Sequence, residues 1–271
     1  NMGELRHLLS VYFHAISVRL KGQMQYRGSF LTEVLAQVLI TGLDFAALAV
    51  LFARFPQLRG WSLWEVGLLY SLVHGSFSLA ELAARGFDTF SRQIREGAFD
   101  GALIRPLSPF FMTLCSDFHA RRVGRLAQAL TVGLICSAKA GVVWTGGKVL
   151  LFVGALLGGA CFFVALFVIG ATLCFWTVES IELINIFTHG GIEAANVPIS
   201  IYRTWFRNLF IFVVPLAWVN YFPALHIVGR EDPLGFPPVM QTLAPLAGIA
   251  FLCLARAVWS VGVRHYQSTG S

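Results

Sequence analysis

The chain has 271 residues, of which 56% are hydrophobic and only 13% charged, and its mean hydropathy is +0.70. A soluble domain carries about 25% charged residues, so this composition lacks the polar surface of a water-soluble fold and leaves a membrane protein. The net charge of +6 comes almost wholly from arginine, placed in short connections between apolar runs, which excludes the gathered basic surface of a nucleic-acid binder and suits an anionic cytoplasmic leaflet.

Taken from the N-terminus, Leu5 to Lys21 mixes Leu8, Leu9, Phe13 and Ile16 with Arg6, His7, His14 and Arg19. No uninterrupted apolar stretch of the kind a secretory signal needs is present. The pattern predicts a helix lying in the membrane interface over residues 5–27. Six spans of roughly 20 residues or more are then expected near 29–53, 63–85, 122–143, 149–174, 206–224 and 242–262. The connections Arg54 to Trp61 and Trp144 to Lys148 are short, and their Trp and Lys mark water interfaces. The expected fold is a single all-α polytopic permease domain over residues 1–271, with no soluble accessory domain.

Orientation follows from the arginines. Arg6, Arg19, Lys21, Arg27, Arg85, Arg92, Arg95, Arg105, Arg121, Arg122, Arg125, Arg203, Arg207 and Arg264 fall on one side of this layout, with Arg54, Arg59, Lys148 and Arg230 on the other. The positive-inside rule puts the first group, and both termini, in the cytoplasm.

The connection Gly86 to Arg121 is strongly patterned. Phe87, Phe90, Ile94 and Ala98 recur at near-helical spacing, with Asp88, Arg92, Arg95 and Glu96 opposite. Gly97 is placed to end that helix, Asp100-Gly101 reads as a turn, and Arg105-Pro106 as extended chain. Ser108 before Pro109 predicts an N-cap followed by proline at the first helical position. Between the fourth and fifth expected spans, Val178 to Tyr202 reads as a cytoplasmic helical extension broken at Gly190-Gly191 and Pro198. Asn220 to Pro238 is an outer segment rich in Pro and Gly yet apolar, which suits a re-entrant or interface-hugging piece covered by protein.

Catalytic signatures are missing. Gly146-Gly147-Lys148 is followed by Val149 and lacks the upstream glycine of a phosphate-binding loop. Gly42-Leu43-Asp44 and His74-Gly75-Ser76 resemble intramembrane protease elements only faintly, without partner residues. The five cysteines show no metal-binding or disulfide spacing and read as small core hydrophobes. No cofactor or metal is expected on this chain. Ionisable residues do fall within the spans: Glu33, Asp44, Glu65, His74 and Glu81. Asp44, His74 and Glu81 are candidates for a substrate path, with interhelical hydrogen bonding as the plainer role. Gly154 and Gly158 allow close helix packing.

These features resemble the permease subunits of type-2 ABC transporters, in the branch with an uncharacterised permease domain. The loop Arg95-Glu96-Gly97-Ala98-Phe99-Asp100-Gly101-Ala102-Leu103-Ile104-Arg105-Pro106-Leu107-Ser108 is similar to that family's G-x-x-D-x-x-L-x-R-P-L-S signature. Tyr221-Phe222-Pro223-Ala224 is similar to its aromatic-Pro-Ala element, and Trp259 to Gly270 to its W-x-x-G-x-x-x-Y-x-S-x-G ending, with His265 where a second arginine is expected. Tyr26-Arg27 fits the start of its first span. The resemblance implies six spans, a coupling helix between spans two and three, and re-entrant helices before span six. It also implies a second permease subunit, identical or paralogous, and two ATPase subunits that bind ATP and Mg. Phe87, Phe90, Arg92, Ile94, Arg95, Glu96, Gly97, Asp100 and Arg105 become the expected ATPase-coupling residues. Phe90 and Ile94 are then the buried anchors, and a helix merely resting on headgroups is the alternative. The expected setting is a bacterial cytoplasmic membrane, and the expected activity is export of an amphiphilic, lipid-linked or drug-like molecule. An ion-coupled carrier and a membrane sensor or scaffold are the competing classes.

Overall fold

The computed structural model describes residues 2–25, 27–120, 122–177 and 181–266. Tyr26, Arg121 and residues 267–270 of the C-terminal match lie outside the described residues. Among those described there is no strand, only an isolated bridge between Leu58 and Trp61. The helices are α1 (Met2–Met24), α2 (Arg27–Arg54), α3 (Leu63–Asp88), α4 (Phe90–Arg95), α5 (Ala98–Leu103), α6 (Pro109–Leu114), α7 (Arg122–Lys139), α8 (Gly146–Leu173), α9 (Ile181–Ala195), α10 (Thr204–Asn208), α11 (Tyr221–Val228) and α12 (Val239–His265).

Four described helices, α2, α3, α8 and α12, are long and apolar enough to cross a membrane. Helix α7 is shorter and carries Arg122, Arg125 and Lys139, so it is not one of them. Helix α3 is the axis of the bundle: it packs against α7, α8 and α9, and Val66 to Ser78 is buried without interruption. Its start is fixed by a capping box, in which the Ser62 hydroxyl accepts from the Glu65 backbone N–H while the Glu65 carboxylate accepts from the Ser62 N–H. Helix α2 buries little and exposes Leu35, Leu39, Leu43 and Val50, an apolar face for lipid. Helix α1 is clasped at two points. Tyr12 donates to the Ala83 carbonyl, and Gln23 both donates to the Phe118 carbonyl and accepts from the Ala120 N–H.

Helices α8 and α12 approach most closely. A side chain at Gly158 would overlap the Pro245 backbone, and one at Gly248 would overlap the Gly158 backbone. The predicted role of Gly158 in close packing therefore holds.

The two ends of the bundle can be named by their tryptophans, Trp61 at one and Trp259 at the other. This frame corrects the expected fifth span. Residues 206–224 do not form one straight helix: Thr204–Val213 and Leu216–Val228 are bent by 73° about Val214-Pro215. Both ends of this pair lie at the Trp61 end. Just before it, the Ser200 carbonyl accepts from Arg59 at 2.9 Å; just after it, Arg230 donates to the Gly60 carbonyl and pairs with Glu65 at 2.9 Å. Its turn reaches mid-bundle, where Val219 meets Gly159 and Leu216 meets Gly191. The pair is thus a bent hairpin whose two ends lie together at the Trp61 end. The chain is carried along the bundle by α9, which runs antiparallel to α3: His189 stacks edge-on to Phe77 at 5.5 Å, Asn196 lies beside His74, and Ser200 beside Arg59.

Three further expectations change. Helix α9 runs unbroken through Gly190-Gly191, because neither glycine there leaves the right-handed helical region. Asp100-Gly101 lies inside α5 and not in a turn. Arg203 and Arg207 follow Ser200 and belong with the Trp61 end, since the intervening crossing is α9. Elsewhere the local reading matches. Gly97 has φ 66° and separates α4 from α5, and Ser108 caps α6 with Pro109 at its first position. In residues 229–238, Asp232 accepts from the Tyr221 hydroxyl and from the Leu234 and Phe236 N–H groups, folding this Pro-rich piece back onto the bundle.

Candidate functional site, a bracketed helix pair and a buried polar relay

Two features stand out at and above the Trp259 end. The first is the α4–α5 pair. Helix α3 kinks at Ala84 (φ −142°, ψ 27°) before it delivers the chain to Thr89. From there α4 and α5 fold around a cluster of aromatic rings. Phe90 packs against Phe99 (5.0 Å between centroids), Phe175 (5.4 Å) and Trp259 (5.3 Å), and Phe99 also meets Tyr266 (5.0 Å). Phe87 adds contacts to Phe110 and Trp259. Edge-to-face pairs of this kind add about 0.5–1.5 kcal/mol each beyond area burial. Polar ties reinforce them. Gln93 donates to the Gly86 carbonyl and the Ser116 hydroxyl, and Tyr266 donates to Asp100 at 2.9 Å.

The consequence for the predicted coupling residues is plain. Phe87, Phe90 and Ile94 are 0%, 0% and 2% exposed, so they anchor the helix pair to its own chain and are not available to grip a partner. The exposed surface of the pair comes from Arg92, Arg95, Glu96, Leu103, Ile104 and Arg105, with Ile104 88% exposed. Gly97 sets the corner between the two helices, and Asp100 faces inward to Tyr266. Ile104 was not expected as a contact residue.

The second feature is a relay of polar side chains inside the bundle. On α3, Tyr70, His74, Glu81 and Arg85 fall at spacings of four, seven and four and share a face. Arg122 and Arg125 of α7 turn toward it. Glu81 pairs with Arg122 at 2.8 Å, Arg85 at 3.0 Å and Arg125 at 3.6 Å. Arg125 lies 3.0 Å from Nδ1 of His74, and Nε2 of His74 lies 3.0 Å from Oδ1 of Asn196. Guanidinium only donates, so Nδ1 accepts and the ring proton sits on Nε2, donated to Asn196. Asn196 in turn donates to Glu193 at 3.2 Å. Tyr70 stacks on His74 at 3.9 Å and donates to the Thr41 carbonyl. Thr41 also meets Gln128, and Gln37 accepts from Arg122.

Toward the Trp259 end the relay continues through Arg85 to Asp88 and Asp117. Burial alone would raise the Asp117 carboxyl. The hydrogen bond and charge of His119, with Arg85 and Arg19, outweigh it and hold the group below the usual carboxylate range. Two of the three substrate-path candidates, His74 and Glu81, are therefore joined through Arg125. Asp44 is half-buried on α2, one turn from Thr41. Glu65 belongs to the capping box and to Arg230, a structural role. Among the described residues no three His, Cys, Asp or Glu side chains gather closely enough to hold a metal ion.

What such an arrangement can do is mechanical. Aromatic contacts tie the helix pair to α3, the end of α8 and the end of α12. The buried charges join α3, α7 and α9 by interactions that exist in discrete arrangements.

Among curated proteins no relative matches the chain. The sequence profile of the family described as ABC-2 family transporter protein matches residues 38–270, which contain both features and every helix from α3 to α12. The chain belongs to the ABC-2 transporter family, a family of membrane transport subunits that work with an ATPase.

Proposed function

We propose that this chain is the permease subunit of an ATP-driven exporter, with the α4–α5 pair as its coupling element. The observation that carries the reading is the cluster around Phe90, Phe99, Phe175, Trp259 and Tyr266. It makes the exposed tip of a short helix pair continuous with three membrane helices, which a transmission element requires and a helix resting on headgroups does not.

In this reading the Trp259 end is cytoplasmic. It gathers Arg6, Arg19, Lys21, Arg27, Arg85, Arg92, Arg95, Arg105, Arg122, Arg125 and Arg264, whereas the Trp61 end has Arg54, Arg59, Lys148, Arg203, Arg207 and Arg230. The chain crosses six times, by α2, α3, α7, α8, α9 and α12, and both termini lie inside. Two ATPase subunits hold ATP and Mg and sit beneath two permeases, identical or paralogous. Closure of the ATPase dimer pushes on the exposed Arg95 and Ile104. The lower ends of α3, α8 and α12 then move as one and switch access, and the cargo gains direction from its different affinities for the two states. The outer connections are short and fold onto the bundle, which suits release of an amphiphilic cargo better than docking of a delivery protein.

The test is a set of variants reconstituted with the ATPase in proteoliposomes. Ile104→Asp with Arg95→Glu is expected to lower complex recovery, ATPase stimulation and transport while the chain stays folded and inserted. If all three remain at wild-type level, the α4–α5 pair is not the coupling element.

A further inference from the structure

Beneath α1 lies a cavity of about 740 Å³, walled by α1 on one side and by the α4–α6 segment on the other. Its lining is of two kinds. Val18 of α1 and Phe111 and Met112 of α6 supply an apolar floor, and three arginines from separate elements, Arg19, Arg92 and Arg105, line its margin. None of the ion pairs formed among the described residues includes any of the three. Two carboxylates also line the cavity. Asp117 is engaged by Arg85 and His119 and also feels Arg19, and Glu96 is the second carboxylate, so two negative groups, one of them shared with Arg85 and His119, face three arginines. The site therefore carries an excess of positive charge beside apolar surface.

The position decides which ligand suits it. Helix α1 exposes Phe13 and Val18, 63% and 55%, and is tied to the bundle by its Tyr12 and Gln23 hydrogen bonds. A helix of that type lies at the depth where headgroups meet acyl chains. The cavity volume falls in the range of small-molecule sites. Arginine guanidinium matches phosphate oxygens in a two-point geometry, and basic pockets at the cytoplasmic side of membrane proteins take anionic headgroups.

From this we infer that the cavity binds the headgroup of an anionic phospholipid of the adjacent leaflet, with its phosphate among Arg19, Arg92 and Arg105 and its glycerol and upper chains against Val18, Phe111 and Met112. The inference rests on the orientation proposed above only for which leaflet supplies the lipid. Because the lining joins α1 to α4 and α5, the lipid is a bridge between the interfacial helix and the coupling element.

The experiment uses the purified full chain in mixed micelles containing phosphatidylglycerol or phosphatidylcholine. Phosphatidylglycerol is expected to raise the apparent unfolding temperature of the wild type above its value in phosphatidylcholine. The triple variant Arg19→Gln, Arg92→Gln, Arg105→Gln is expected to lose that difference while keeping its phosphatidylcholine value. A photo-reactive residue in place of Met112 gives a second reading that needs no loss-of-charge variant, and preferential capture of phosphatidylglycerol supports the site. Equal stabilisation by both lipids, or a difference retained in the triple variant, or capture without headgroup preference, overturns it. Equal stabilisation by inorganic phosphate overturns the lipid in favour of a free anion. Loss of the lipid effect once the ATPase is bound overturns it in favour of a protein groove. None of these readouts involves ATP turnover or transport, so failure of the lipid site is seen separately from failure of the coupling reading.

Discussion

The hydroxyl of Tyr266 donates a 2.9 Å hydrogen bond to the carboxylate of Asp100, so the end of α12 holds the second helix of the α4–α5 pair. Ring contacts from Tyr266 to Phe99 and Phe175 make this a joint and not a lone surface bond.

Burial, with the neighbouring Asp100, pushes the Tyr266 hydroxyl up to about 12 from its ordinary 10.0. The folded chain holds that proton more tightly than the unfolded one, so the contribution is full below pH 10 and is lost as pH rises through 12. Tyr266→Phe is expected to cost about 1–2 kcal/mol at neutral pH. Unfolding followed from pH 7 to 12 should show the wild type losing its advantage over the variant across that upper window.

Phe90→Ala and Ile104→Ala separate inward from outward residues. The first removes a ring at 0% exposure and is expected to destabilise the chain by about 3–5 kcal/mol. The second removes a side chain that is 88% exposed and should leave stability within about 0.5 kcal/mol. Comparable losses for the two in a detergent unfolding assay would contradict the burial described here.

Glu81→Gln leaves Arg85, Arg122 and Arg125 facing one another in the bundle without their shared counter-charge. The expected cost is about 3–5 kcal/mol, as for one partner removed from a buried pair. Adding Arg122→Met should recover part of it. A double variant less stable than Glu81→Gln alone would show that Arg122 is held by other partners.

Overpacking should distinguish two glycines four residues apart. Gly158→Ala places a methyl group on the Pro245 backbone, which no rotamer can relieve, and is expected to cost about 1–3 kcal/mol. Gly154→Ala meets only the Pro245 ring, at 3.4 Å, and should be tolerated. The two variants compared by thermal unfolding check this contrast.

At the other end, Arg230 pairs with Glu65, donates to the Gly60 carbonyl and lies over the Trp61 ring at 5.3 Å. The ion pair is partly exposed, so a double-mutant cycle on Arg230→Gln and Glu65→Gln should give a coupling of about 1 kcal/mol or less. Arg230→Gln alone should cost more than that coupling, because it also removes the carbonyl and ring contacts.

Much of the fold was legible because apolar length and caps are local properties. Ser62, Gly97 and Ser108-Pro109 mark helix boundaries by their own chemistry, and the structure places those boundaries where the residues predict them. The bend at Val214-Pro215 was not legible. Hydropathy ranks Trp205 to Leu225 above Ile181 to Ala195, since α9 spends positions on Glu182, Asn185, His189 and Glu193. Yet Glu193 of α9 accepts from Asn196 and His189 meets the Phe77 ring, whereas Pro215 bends the more apolar segment. The coupling region shows the same division. Periodicity correctly found the apolar face of Phe87, Phe90 and Ile94, but a one-dimensional pattern does not say whether that face meets a partner or the chain's own Trp259 and Phe175. The relay was partly visible in the spacing of Tyr70, His74, Glu81 and Arg85. Its other half, Arg122 and Arg125, read as flanking positive charge because nothing local distinguishes a flanking arginine from one that turns inward.

The bent hairpin also bears on biogenesis. A segment that enters and leaves by one face gains no topological hold from its flanks, and its interrupted backbone is completed by neighbours: Trp218 donates to the Ile211 carbonyl, and Asn220 to the Ala195 carbonyl at the end of α9. In bare lipid those groups would be stranded. We therefore expect residues 204–228 to seat only after α8 and α9 stand beside them, an order that stepwise cross-linking during insertion would check.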